Sequence, residues 1–116
     1  MNEIDIPIVN KSYELYKAFH GYRRLVPKSD RFTIYERSEN LIIDTISLFL
    51  EAGYAKTNKS VILEQASVKL NILRFLVRLM KETKVIDLKK YTLLQQIIDE
   101  IGRMLGGWIR SSSSVR

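Results

Sequence analysis

Four stretches of this chain repeat apolar side chains every three or four positions, and none alternates apolar with polar residues as a half-buried strand does. That period confines the chain to helices. In the first stretch, from about Asn10 to Val26, Ile8, Ser12, Leu15, Phe19, Tyr22 and Val26 step along one face, and Pro27 ends the helix because the residue before a proline is pushed out of helical geometry. "PKSDRF" offers Ser29 or Asp30 as the N-cap of a second helix to about Ala52, with Phe32, Tyr35, Ile42, Ile43, Ile46, Phe49 and Leu50 facing inward and Gly53 as its stop. After the polar link "AKTNKS", Asn58 caps a third helix that continues to about Lys84. A fourth begins after Asp87 and runs to Arg110. Long helices joined by short links must run antiparallel to their neighbours. The expected fold is therefore all-α: an up-down-up-down antiparallel four-helix bundle, with residues 1–110 as a single domain and 111–116 as a short flexible tail.

At 116 residues there is room for one core. No apolar run approaches the roughly 20 residues of a membrane span. The start "MNEIDIPIVN" is acidic and lacks the basic and apolar parts of a signal or transit peptide, and cysteine is absent; a soluble, cytoplasmic protein is expected. The formal net charge is +6, and its distribution is uneven. Residues 1–57 carry eight Lys/Arg against eight Asp/Glu, whereas residues 58–116 carry eleven against five. An excess of this kind points toward an acidic partner, nucleic acid being the commonest.

The third helix carries two apolar stripes. Ala66, Leu70, Leu73, Val77 and Met80 form one; Val61, Val68, Ile72, Phe75, Leu76 and Leu79 form a second beside it. A helix of a simple four-helix monomer needs a single inward arc. The second arc must be covered by something else, most economically another copy of the chain, although a skewed bundle could hide both. The remaining strip holds Ser67, Asn71, Arg74, Arg78 and Lys81. It reads either as a solvated face or as a contact for phosphate or an acidic protein, since guanidinium presents a planar donor fork. Further positive charge lies at Lys84, Lys89 and Lys90, at Arg103 and Arg110, and on the first helix, where Tyr13, Lys17, His20 and Arg24 share the face opposite the apolar stripe.

The fourth helix ends in "EIGRMLGGWIR". An interior glycine costs a helix about 1 kcal/mol relative to alanine. Gly102 and Gly106 fall on one margin of the inward arc, where missing side chains let a neighbouring helix come close, and Trp108 supplies a large apolar anchor. Catalytic patterns are missing: there is one histidine, no phosphate-cradling glycine loop and no metal-ligand spacing, and the adjacent Asp99 and Glu100 point about 100° apart on a helix. No enzyme activity, cofactor or metal is expected.

The segment "LNILRFLVRLMKETKVIDLKKYTLLQQIIDEIGRMLGGWIR" resembles the carboxy-terminal half of the accessory variability determinant (Avd) proteins of diversity-generating retroelements, with an arginine-bearing "LRF..R" helix and an "EIGRMLGGWI" close. "LVPKSDRFTIYERSENLIIDTISLFLEAG" is similar to the related four-helix-bundle proteins encoded in intervening sequences of large-subunit ribosomal RNA genes. The resemblance covers roughly residues 10–110. It implies a non-catalytic accessory protein, assembled as a pentameric barrel, that associates with the retroelement reverse transcriptase and its template RNA and supports mutagenic cDNA synthesis and retrohoming. The alternative is a structural or ribosomal-RNA-associated bundle. Arg74 and Arg78 fall on the arginines of the "LRF..R" motif and become the first candidates for polymerase or nucleic-acid contact; Lys81, Lys84, Lys89, Lys90, Arg103, Arg110, Lys17 and Arg24 join them by charge, only Arg103 among these lying in the shared motif. The tail "SSSSVR" adds little charge for RNA.

Overall fold

A computed structural model of the chain describes residues 6–113. Five helices occur in order: α1 (Ile6–Tyr22), α2 (Lys28–Arg31), α3 (Ile34–Tyr54), α4 (Lys59–Glu82) and α5 (Leu88–Ser113), with a 3-10 turn at Arg23–Leu25. There is no strand among the described residues. The four long helices make the bundle: α3 packs on α4, α4 on α5, α5 on α1 and α1 on α3, closing a ring of neighbours in a rod 48 × 20 × 19 Å.

The stripes expected on the first and third helices form the core. Ile8, Leu15, Phe19 and Val26 are buried from the α1 side and Ala66, Leu70, Leu73, Val77 and Met80 from α4, against Tyr35, Ile42 and Phe49 of α3 and Leu94, Ile98, Ile101 and Leu105 of α5. Polar members of these stripes bond within their own helix. Ser12, Ser38 and Thr45 each donate to the carbonyl four residues earlier, Ile8, Ile34 and Leu41, so burial leaves no hydroxyl unpaired. The Tyr35 hydroxyl donates to the Phe19 carbonyl and its ring stacks on Phe19 with centroids 4.0 Å apart, joining α3 to the end of α1.

Helix boundaries differ from expectation where local bonds intervene. The expected second helix is broken at Phe32–Thr33: the Thr33 backbone (φ −118°, ψ −100°) leaves helical geometry, so α2 ends after one turn and α3 starts afresh at Ile34. The break resets the helical phase, which leaves Phe32 exposed rather than inward. Ile43 and Leu50 are likewise exposed; each follows a buried residue, Ile42 or Phe49, and lies 100° further round the helix. Gly53 does not stop α3. No glycine has a positive φ, Gly53 is buried within the last turn, and the chain leaves the helix at Ala55, which is extended. Asn58 does precede α4, but through a left-handed backbone (φ 63°) and with no bond from its side chain.

The turn from α4 to α5 is tight. Lys84 takes φ 65°, and the amides of Val85 and Ile86 both reach the Met80 carbonyl, the pattern of a left-handed helix stop with lysine where glycine is usual. Asp87 then caps α5: its Oδ1 accepts from the Lys90 amide at 2.9 Å and its Oδ2 from the Lys90 ammonium at 2.9 Å, which holds the carboxyl below its ordinary pKa. Helix α5 runs past Arg110 through Ser113, so the first part of the expected tail is helical, and 114–116 lie outside the described residues.

Candidate functional site

Alternating helix directions bring the carboxy-terminal end of α1, the whole of α2, the start of α3, the end of α4 and the start of α5 to one pole. Contacts across it fix the arrangement. Tyr22, Leu25, Val26 and Pro27 border Lys84–Asp87 and Lys90 around one cleft, and the Lys90 ammonium lies 5.6 Å from the centre of the Tyr22 ring. The segments meeting there, residues 20–39 and 78–91, contain ten Lys/Arg against five Asp/Glu, +5 of the chain's formal +6. The positive charge that looked like a property of the second half of the sequence is, in space, a property of one end of the rod.

Arg78, Lys81, Lys84, Lys89, Lys90 and Arg24, six of the ten expected contact residues, belong to this pole. Arg78 Nε lies 3.6 Å from Glu82, and Lys81 sits 4.6 Å over the Tyr91 ring. Arg24 and Lys84 are exposed and make no ion pair with a described residue. Lys17, at the approach to the pole, lies 4.6 Å over the exposed Tyr13 ring. Arg103 and Arg110 lie toward the opposite end, where Trp108 packs against Phe49 (6.4 Å between centroids) and borders a cleft of about 1010 Å³ with Tyr54–Ser60. Arg74 is at mid-length and already engaged, bonding Asn71 at 2.8 Å and Asp99 at 3.2 Å.

Sequence reasoning passed over Arg23, Lys28, Arg31 and Arg37. They sit in a link and at helix ends, where period carries no signal. Arg23 reaches Glu39 Oε1 (3.4 Å) and Glu36 (3.8 Å) and covers the Phe32 ring at 5.0 Å. Glu39, only 8% exposed, also meets His20 Nδ1 at 3.1 Å; Tyr16 stacks on His20, and its own hydroxyl is pushed up in pKa chiefly by a hydrogen bond to Glu39. This knot of Tyr16, His20, Arg23 and Glu39 ties α1 to α3 beneath the pole.

The glycine seam is narrower than expected. A Cβ at Gly102 would lie 3.1 Å from Arg74 Nη2 and 3.9 Å from Leu70, so this glycine does face α4; at Gly106 the one neighbour within 4 Å among the described residues, outside the helix backbone, is Arg110 of the same helix. The second apolar stripe of α4 is uncovered in the protomer: Val61, Val68, Ile72, Phe75 and Leu79 are exposed, with Leu76 half-buried. Asp99 and Glu100 diverge as expected, to Arg74 and to Lys11 (3.4 Å). Among the described residues no cluster of acidic or histidine side chains could hold a metal ion, and no helix is long and apolar enough to cross a membrane.

Fold and surface together define a four-helix bundle with one cationic pole and an open apolar face on α4. Its family follows from the comparison of the whole chain: the bAvd-like family model matches residues 6–112, and the chain belongs to that family, one of accessory proteins. Among curated proteins none matches the chain. The family membership bears out the resemblance carried by "LRFLVRL" and "EIGRMLGGWI".

Proposed function

We propose that this chain is a non-catalytic accessory protein of a diversity-generating retroelement, which holds the reverse transcriptase and its template RNA on a cationic surface and so supports mutagenic cDNA synthesis and retrohoming. The observation that carries the reading is the gathering of ten Lys/Arg at one pole of a bAvd-like chain. A net positive charge gathered at one end steers a polyanion toward that end. Each RNA phosphate neutralised releases counterions, so binding falls with salt at a slope of about −0.7 per contact. The second part of the reading is assembly: copies gather through the exposed α4 stripe, as a pentamer by the resemblance, and place several poles side by side. The exposed row of Val68, Ile72, Phe75 and Leu79 on one side of α4, with Val61 two turns before it, supports this, because monomers rarely leave such a row to water.

The test is reconstitution of the chain with a retroelement reverse transcriptase of the same genome and its template RNA. A salt-sensitive ternary complex, and cDNA synthesis that stops when the chain is omitted, are expected. Failure to associate with either partner at about 50 mM salt, where electrostatic contacts are strongest, would overturn the reading.

A further inference from the structure

We propose that the cleft between the end of α1 and α2, lined by His20, Gly21, Arg23, Arg24 and Arg31, is a phosphate subsite for single-stranded RNA. It rests on the nucleic-acid part of the reading above and adds to it a particular place, residues and strandedness. The cleft is open to solvent and has a volume of about 390 Å³, room for a phosphate with its sugar.

Two of its three guanidiniums are held in place before any ligand arrives. Arg23 is fixed by Glu39, Glu36 and the Phe32 ring. Arg31 donates through Nη2 to the carbonyls of Val26 (3.1 Å) and Arg24 (3.3 Å), and its buried Nε has no partner. Arginines immobilised in this way give up little side-chain entropy on binding. Arg24 and Arg31 have no carboxylate partner among the described residues: Glu36 and Glu39 both face Arg23, Arg31 bonds neutral carbonyls, and Arg24 makes no ion pair. Gly21 keeps the mouth open: among the described residues nothing beyond its own helix backbone lies within 4 Å of where its side chain would begin.

Two exposed rings choose the polyanion. Phe32 is 65% and Tyr13 59% exposed, each beside a cation, and the cation at Phe32 is Arg23 of the cleft itself. Unpaired bases stack on such faces, and single-stranded RNA offers a base beside every phosphate, whereas the bases of a duplex are already stacked.

The probe is a fluorescently labelled twelve-residue oligouridylate, titrated by anisotropy at two salt concentrations. Arg24→Glu and Gly21→Glu, both at exposed positions, are expected to weaken binding about tenfold each, Phe32→Ala to weaken it by a similar factor, and Arg24→Ala to reduce the salt slope by about 0.7. Lys56→Glu, at the opposite end, is the control and is expected to stay within about twofold of the parent, since its charge lies more than a Debye length from the cleft. Circular dichroism checks that each variant is folded. If the parent binds and the cleft variants bind equally well, the subsite is wrong while the wider reading stands. If the parent binds neither the oligonucleotide nor the template RNA, both fall. Displacement of the probe by oligoglutamate as effective as by unlabelled oligouridylate would assign the cleft to an acidic protein instead.

Discussion

Arg74 on α4 and Asp99 on α5 form an ion pair of 3.2 Å, and Gly102, one turn along from Asp99, leaves the space that the Arg74 guanidinium occupies. The arginine expected to be the foremost contact for a partner thus spends part of its hydrogen-bonding capacity joining two helices of its own bundle. Both side chains are partly exposed, so the pair contributes about 0.2–1 kcal/mol. Arg74 can therefore be removed without unfolding the chain.

The glycines of α5 separate two uses. Within the protomer a Cβ at Gly106 or Gly107 meets only the flexible Arg110 side chain, and at Gly102 the flexible end of Arg74. Gly106→Ala should raise protomer stability by up to about 1 kcal/mol through helix propensity; Gly102→Ala should gain less, because Arg74 must shift by a few tenths of an ångström. Urea denaturation measures both. If Gly106 serves a seam between copies, the same variant lowers the association constant while raising the stability of the single chain, and sedimentation across a dilution series reads that second effect.

Phe75 and Ile72 lie on the open stripe of α4 and make no contribution to the buried core. Ile72→Lys with Phe75→Lys should change protomer stability by no more than about 0.5 kcal/mol per site while abolishing self-association. Light scattering behind gel filtration is the measurement. An unchanged oligomer would move the seam to another face.

Lys84 holds a left-handed backbone that costs a residue with a side chain about 1 kcal/mol. Lys84→Gly relieves that cost and deletes one cation of the pole. The expected outcome is a rise in melting temperature together with weaker RNA binding, two changes of opposite sign in one variant. Should both rise, Lys84 does not contact the ligand.

Asp87 supplies the pH dependence of the α4–α5 turn. Its folded pKa is depressed by the bonds from Lys90, so its contribution is present at and above the ordinary aspartate range and is lost as pH falls through the lower folded value. Asp87→Asn keeps an oxygen for the Lys90 amide and removes the ion pair. Parent and variant should differ modestly in stability at neutral pH, since the groups are at the surface, and converge in strong acid. Thermal melts across the acid range would show a constant gap if the carboxylate plays no part.

Much of the bundle was legible from spacing. Leu70, Leu73, Val77 and Met80 follow a helical period and are buried, Pro27 ends the first helical run with Val26 extended, and Asp87 precedes α5. A period reports direction around a helix axis, which is a local property of the chain, so the inward faces and the surplus stripe of α4 could be read residue by residue. Phe32, Ile43 and Leu50 depart from the inward face because apolar character alone does not fix phase: the backbone leaves helical geometry at Thr33 and the next helix starts afresh, and a neighbour of a buried residue points 100° away.

The cationic pole is different in kind. Arg23, Lys28 and Arg31 are separated from Lys84 and Lys90 by more than fifty positions, and nothing in the spacing of either group refers to the other. Period sets the angle of a side chain about its own axis but not its height along the bundle, and height decides which helix ends meet. That was settled by tertiary packing: Tyr35 docked on Phe19, Tyr22 beside Lys90, and the α4–α5 turn against the link that follows α1. The residue types came from the chain, and their convergence came from the fold.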